Sequence, residues 1–275
     1  MNSDIFYIIA PGPTLNDLTE EEWKFLEHQN TISISCTPFT GKYFKYYMTY
    51  ESTKSTNRFL EMMAEDRYFN TTLLLGIDKN IRYALELGFK NIYGISKGRG
   101  RSFNGKLWFD GEDKPPEKLK NCIAQKLSEP LFRYRGSLAA TINVALILGA
   151  KEIRLIGVEL NNMKHFYEGT EERWTKDPKR IEEIRDYHKD YLETIEVKKR
   201  RQVERMKDFD PNIMHTTAMK YPSKLWGNKN LIGMPKVVEW MDKELREMGH
   251  RGIYITNKKS ILYKDNLIEY KKVME

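Results

Sequence analysis

Cysteine is scarce. Cys36 and Cys122 are the only two in 275 residues, too few for a disulfide framework, which favours a reducing compartment. Long apolar runs are missing too: no window approaches the ~18 consecutive apolar residues that span a bilayer. The opening MNSDIFYIIAPGP has neither the basic segment nor the small-residue cleavage site of a secretory leader. A cytoplasmic location is therefore expected, with at most peripheral contact at the inner membrane face. Neither GxGxxG nor GxxxxGKS/T occurs, so the two strongest signatures of phosphate-cradling loops are absent. Without CxxC or HxxxH spacing, no zinc site is expected. There are no repeats and no low-complexity tracts.

What is present starts with charge. The net charge of +7 mildly favours phosphate-bearing, nucleic-acid or anionic-lipid partners, and a solubility surplus of lysine explains it equally well. The first half alternates short apolar runs with amphipathic stretches. Strands are expected at Ile5–Ala10, Thr31–Ser35, Tyr46–Thr49, Thr72–Leu75 and Asn91–Ile95. Helices are expected over LTEEEWKFLEH with Thr19 as N-cap, Lys54–Ala64 and Asp78–Leu87. This alternation predicts an α/β, Rossmann-like, mostly parallel sheet with helices on both faces. SLAATINVALILGAKEIRLIGVEL predicts a buried helix at Leu138–Leu148, with Ser137 as N-cap and Gly149 closing it, then a buried strand at Glu152–Gly157.

Two stretches break the alternation. Residues 97–116 carry four glycines and two prolines without a clean period, which marks a long loop of the kind that often carries function. Residues 171–210 hold 12 basic and 12 acidic side chains. Within them Ile181, Ile184, His188, Tyr191 and Ile195 fall on one helical face, so a charged helical insertion or lid is expected. The expected organisation is a nucleotide-binding domain over 1–160, a lid over 161–232, and a C-terminal helix and strand over 233–275 that complete the main domain.

Chemistry is expected at the carboxyl ends of the strands, where α/β sheets bind ligands. The turn Pro11-Gly12-Pro13-Thr14 ends the first strand. It reads either as a structural corner or as a ligand floor, with Gly12 admitting a phosphate or ribose and Thr14 adding a hydroxyl. Cys36, Thr37, Tyr50, Glu51 and Ser52 end the next two strands. Each suits a turn or cap, and together they suit a site. Arg133, Tyr134, Arg135, Gly136 and Ser137 enter the buried helix, whose free N–H groups could meet an anion. Glu159, Asn161, Asn162, His165 and Tyr167 follow the strong strand. His165 and His215, in loops, are the acid/base candidates, while His188 reads as a packed helix residue. Asp208-Phe209-Asp210 has DxD metal spacing but follows a charged helix, so Asp208 and Asp210 are weak metal candidates. The basic runs KGRGR and KKRRQ lack interleaved aromatics, and no nucleic-acid partner is expected from them.

IIAPGPTLNDL resembles the N-terminal turn of the bacterial CMP-sialic-acid-dependent sialyltransferases, glycosyltransferase family 42. SLAATINVALILGAKEIRLIGVELNN is similar to that family's Ser-led helix, LGxKEIxLxG strand and acidic ending. The two motifs cover about a seventh of the chain. The resemblance implies a Rossmann-like domain with a lid, often oligomeric, that transfers a sugar from a CMP donor with inversion and without a required DxD-bound metal. It implies that Gly12 and Thr14 meet the nucleotide, that Cys36 and Glu51 stand where the family has asparagines, that Ser137 meets the phosphate, that Tyr167 and Arg135 stabilise the departing phosphate, and that Asn161 stands where the family has a second tyrosine; Pro13, Thr37, Gly136 and Glu159 join them as donor-binding candidates by position. His215, with His165 second, would be the base. The acceptor would be a glycan or lipid-linked glycan hydroxyl. Pro11 departs from the family, standing where it has a donor-binding asparagine. The same motifs resemble proteins related to archaeal hydroxymethylpterin diphosphokinase. That alternative needs ATP and Mg²⁺ and draws on Asp208, Asp210, Glu159 and Glu51. A non-catalytic nucleic-acid-binding or scaffold protein on a degenerate transferase fold is a third reading.

Overall fold

The computed structural model describes residues 4–96, 106–134, 136–201, 215, 217–218, 221–222 and 230–275. In chain order the elements are β1 (Ile5–Ile9), α1 (Glu20–Leu26), β2 (Asn30–Ile34), β3 (Tyr46–Thr49), α2 (Thr53–Glu65), β4 (Thr72–Leu75), α3 (Asp78–Glu86) and β5 (Ile92–Gly94). Then come α4 (Leu119–Cys122), α5 (Ser137–Ile147), β6 (Glu152–Ile156), α6 (Glu171–Trp174) and α7 (Pro178–Arg201). The chain closes with β7 (Tyr221–Pro222), β8 (Asn230–Leu231), α8 (Met234–Glu247), β9 (Gly252–Ile255), α9 (Ile261–Lys264) and β10 (Glu269–Tyr270).

Eight strands form one sheet in the order β10-β9-β6-β1-β2-β3-β4-β5, and every pairing in it is parallel. This is a Rossmann-like α/β fold. The sheet explains the strand sequences: IFYII of β1 is apolar at every position because helices cover both faces. Phe6 and Ile8 pack into one core with α5 and α8. Tyr7 and Ile9 pack into the other, with side chains of α1, α2 and α7. Successive strands run from β1 outward to β5, and β6, β9 and β10 then build the other side. The direction therefore reverses between β1 and β6, which is where such sheets bind ligands, beyond the carboxyl ends of their strands.

The helices follow their sequence signals. Thr19 caps α1 in a full capping box with Glu22. The buried helix α5 carries two fully buried polar residues, Thr141 and Asn143, and the side-chain bonds of Asn143 pin loops. Its Oδ1 accepts from Ala124 N–H and Phe132 N–H, both at 2.9 Å, and its Nδ2 donates to Ala124 O at 3.0 Å. That satisfaction is what makes a buried amide tolerable. One expectation is corrected here. Gly136 is the N-cap of α5, and Ser137 is its first helical residue, with no side-chain cap bond. Gly136 has φ 159° and ψ −173°, an extended corner that sets the helix start one residue earlier than the serine signal suggested.

The charged stretch forms a long helix, α7, packed across α2. Arg180 grips Asp66 with both guanidinium nitrogens, at 2.6 and 3.1 Å. Lys54 reaches Asp190 at 2.7 Å. Ile184 and Tyr187 are buried beneath it. The face that packs therefore includes Tyr187 along with the expected Ile184, His188 and Tyr191. The side chain of Ile195 lies outside the described residues, as do the KGRGR loop and KKRRQ side chains. Among the described residues, no helix is long and apolar enough to cross a membrane.

Candidate functional site

The opening turn leaves β1 at the reversal point and meets the end of β6. Ala10 N–H donates to Ile156 O at 2.9 Å, and Gly12 N–H to Gly157 O at 3.0 Å. A Cβ on Gly12 would run into the Glu159 carboxylate and the Gly157 carbonyl. Glycine is needed here for close approach, and what approaches is Glu159. Pro13 begins a short 3-10 turn, Pro13–Asp17, whose Thr14 N–H donates to Glu159 Oε1 at 3.0 Å while the Thr14 hydroxyl bonds the same oxygen. The anion-seeking N–H of the turn thus holds the chain's own carboxyl. Burial pushes the Glu159 carboxyl above its usual value, against the pull of the two Thr14 bonds. Asn161 lies one step out, with its amide donating to Lys259 O at 2.9 Å.

Beyond β2 and β3 a second group gathers. Ser35 sits in the left-handed region at φ 58°, and its hydroxyl bonds Glu51. Tyr187 comes down from α7 and donates to the other Glu51 oxygen at 3.1 Å. Cys36 is fully buried next to them. Burial first, then the Glu51 charge, drives its thiol well up, so it is a packed thiol rather than a thiolate nucleophile. Thr37 spends its hydroxyl on Ile34 O at 3.0 Å, which makes it a turn former. Tyr50 stacks beneath the Arg133 guanidinium, 4.7 Å from its ring centroid, and Ser52 caps α2.

The third group is the loop after β6. Tyr167 is fully buried and its hydroxyl has no hydrogen-bond partner among the described residues. Burial, then nearby Cys36 and Glu168, holds its phenol far above the usual range, so it stays an O–H donor. The His165 ring stacks on Tyr167, with centroids 5.3 Å apart and planes at 6°. Tyr191 meets the His165 ring edge-on at 4.5 Å, and His188 faces Tyr167 at 5.8 Å. Glu168 accepts the His165 backbone N–H at 2.6 Å, and its Oε1 lies 3.6 Å from His165 Nδ1. Burial works to raise the Glu168 carboxyl, but His165, through ring and backbone N–H, and His188 outweigh it and hold it below its ordinary value. Both His165 Nδ1 and His188 Nδ1 are buried without a hydrogen bond. A buried polar atom left unmatched costs about 1–3 kcal/mol. Three of them lie together in one α7-covered patch, Tyr167 Oη, His165 Nδ1 and His188 Nδ1.

The chain matches no known family model, no curated protein and no solved structure. Its site therefore has to be read from its own geometry.

His215 lies on the other side of the reversal point. Its N–H donates to Leu160 O at 3.1 Å, and Thr217 O accepts from Met234 N–H at 2.8 Å. His215 Nδ1 accepts the Thr217 N–H at 3.2 Å and pairs with the Thr217 hydroxyl at 2.8 Å. The Thr217 methyl comes within 3.4 Å of where a Cβ on Gly136 would stand, so His215 borders the start of α5 and Ser137. Arg135, Asp208 and Asp210 lie outside the described residues. Among the described residues, no cluster of three or more His, Cys, Asp or Glu could hold a metal ion.

Sequence reasoning found the strand ends and missed what closes over them. Ser35, Glu168, Tyr187 and Thr217 were not singled out. Tyr187 and Tyr191 sit four apart on α7 and could have been seen as a pair, but that spacing normally signals packing.

Proposed function

We propose that this protein is an inverting glycosyltransferase that uses a nucleotide-activated sugar, with a CMP-linked nonulosonic acid as donor and a glycan or lipid-linked glycan hydroxyl as acceptor. The observation that carries the reading is the Tyr167 hydroxyl. It is buried, protonated and unpartnered, stacked against an imidazole beyond the carboxyl end of β6. A preorganised donor in a dry site is what a departing phosphate requires. The Rossmann-like sheet and the two motifs that resemble those of the sialyltransferases add support at the level of analogy.

In this reading the acceptor oxygen attacks the anomeric carbon from the face opposite the leaving group. The bond from that carbon to the phosphate oxygen breaks, and its electron pair leaves with CMP. Tyr167 O–H donates to the phosphate as its charge grows. An imidazole, His165 or His215, takes the acceptor proton. Helix α7, held to α2 by Arg180 and Lys54 and to Glu51 by Tyr187, excludes water that would otherwise hydrolyse the donor.

The test is a transfer and donor-hydrolysis assay with CMP-linked sugars. Tyr167→Phe should lower turnover about 10²-fold or more, the usual effect of one lost oxyanion donor. Wild-type activity in Tyr167→Phe, or none in wild type with any CMP-linked sugar, would refute the proposal.

A further inference from the structure

The two candidate imidazoles are held in opposite ways. His215 Nδ1 accepts a backbone N–H, from Thr217 at 3.2 Å. An amide N–H can only donate, and the Thr217 hydroxyl at 2.8 Å can donate to the same nitrogen, so these contacts favour a lone pair on Nδ1 and, in the neutral ring, the proton on Nε2. That ring can donate a hydrogen bond through Nε2 but cannot accept a proton there. His165 is arranged the other way round. Its Nδ1 is buried and aimed at a carboxylate oxygen, Glu168 Oε1, at 3.6 Å. A carboxylate can only accept, so its nearness favours the proton on Nδ1 and leaves the lone pair on Nε2. The groups around the ring lock this orientation: Tyr167 on its face, Tyr191 at its edge, and His188 beside both Tyr167 and Glu168.

The geometry points to Glu168 as a positioning residue that fixes His165 with its proton on Nδ1, making His165 Nε2 the base and leaving His215 a hydrogen-bond donor. The role of base rests on the proposed transferase reading; the two tautomers do not. The proton balance is simple. His165 Nε2 takes the acceptor hydroxyl's proton as its oxygen bonds the anomeric carbon, and the imidazolium so formed is stabilised by Glu168. The contact of 3.6 Å is looser than a hydrogen bond, as catalytic contacts often are before a ligand binds, and it tightens when the ring becomes charged. Glu168 also has a structural task, accepting the His165 backbone N–H at 2.6 Å. Glu168→Gln keeps that acceptor in its amide oxygen while removing the charge.

Imidazole ¹⁵N shifts and their couplings to ring protons, measured by NMR on the ligand-free protein above pH 7, report each tautomer directly. His165→Gln and His215→Gln assign the signals. Wild type should show the proton on Nδ1 for His165 and on Nε2 for His215. Glu168→Gln, which keeps an oxygen acceptor and loses only the charge, should weaken the His165 preference while leaving His215 unchanged, and Glu168→Ala should abolish it, a readout that a merely structural Glu168 would not move. In the transfer assay Glu168→Gln should lower kcat at least 10-fold with little change in KM, and His165→Gln should cost about 10²–10⁴-fold, the usual range for a general base. The inference is overturned if His165 carries its proton on Nε2 in wild type, or if His215→Gln abolishes proton-dependent turnover while His165→Gln does not. If wild type transfers nothing while both tautomers appear as stated, the transferase reading fails and the positioning role of Glu168 stands.

Discussion

Strand β6 carries a buried glutamate close to each end, and the two are handled in contrasting ways. Glu152, at the amino end, is surrounded by cations: Arg154 Nε at 2.8 Å, Arg251 Nε at 3.0 Å and Lys271 Nζ at 3.0 Å. Arg154 then spends its remaining donors on the carbonyls of Lys272, Val273 and Glu275, which ties the C-terminus under the sheet. Burial alone would raise the Glu152 carboxyl, but Lys271 and Arg154 overcome it and hold it below its ordinary value. Glu159, just past the carboxyl end, receives hydrogen bonds from Thr14, and burial keeps its carboxyl high. At the amino edge Glu152 is saturated by cations and serves stability. The carboxyl edge keeps a protonatable carboxyl, unmatched Tyr167, His165 and His188 atoms, and a left-handed Ser35. Unmatched polar atoms and backbone strain of this kind gather where a fold does its chemistry.

The sharpest way to break the contrast is at its saturated end. Arg154→Met takes one of three cations from buried Glu152 and strands three tail carbonyls, and chemical denaturation should show a loss of about 3–5 kcal/mol. At the other end, Gly12→Ala forces a methyl into the Glu159 carboxyl and the Gly157 carbonyl, and the same measurement should show about 2–3 kcal/mol. Pairing it with Glu159→Ala should return part of that loss, because the two changes share one contact.

A smaller effect tests the signs. Between the ordinary carboxyl value and its raised one, the native state holds a proton on Glu159 that the unfolded chain releases. Its contribution to stability is therefore full below pH 4.5 and shrinks as pH rises through the raised value. Glu152 runs oppositely: its contribution is full above pH 4.5 and is lost as pH falls through the lowered value. Denaturation midpoints across pH should lose the first slope in Glu159→Gln and the second in Glu152→Gln. Equal slopes in both variants would erase the distinction. Smallest of all, Thr14→Val keeps the N–H bond to Glu159 and loses the hydroxyl, for about 1 kcal/mol.

Much of the fold was legible because each inner strand is an apolar run between helices of clear period. The exceptions have physical causes. β10 is two residues, Glu269 and Tyr270, too short for any period. Arg154 is a charged residue in a core strand, and Glu152 and the distant tail carbonyls explain it. At the site, residues at strand ends could be ordered from sequence, since a parallel sheet puts every carboxyl end on one edge. The partner of the opening turn could not. Glu159 lies 145 residues from Thr14, and nothing local says that a glutamate rather than a ligand meets Gly12. Nor could the histidine roles be read, because a tautomer is set by what each nitrogen faces.

The central claim is that the carboxyl edge is built for a nucleotide, and Tyr167→Phe tests it with two readouts on one variant. Removing an unpartnered buried hydroxyl removes a desolvation cost of about 1–3 kcal/mol, so the ligand-free variant should melt at or above the wild-type temperature. CMP should stabilise wild type, by about 2.7 kcal/mol at a hundred times its Kd, and stabilise Tyr167→Phe markedly less. A variant that gains stability and loses its CMP response supports the account. CMP that shifts neither protein, or both equally, would contradict it.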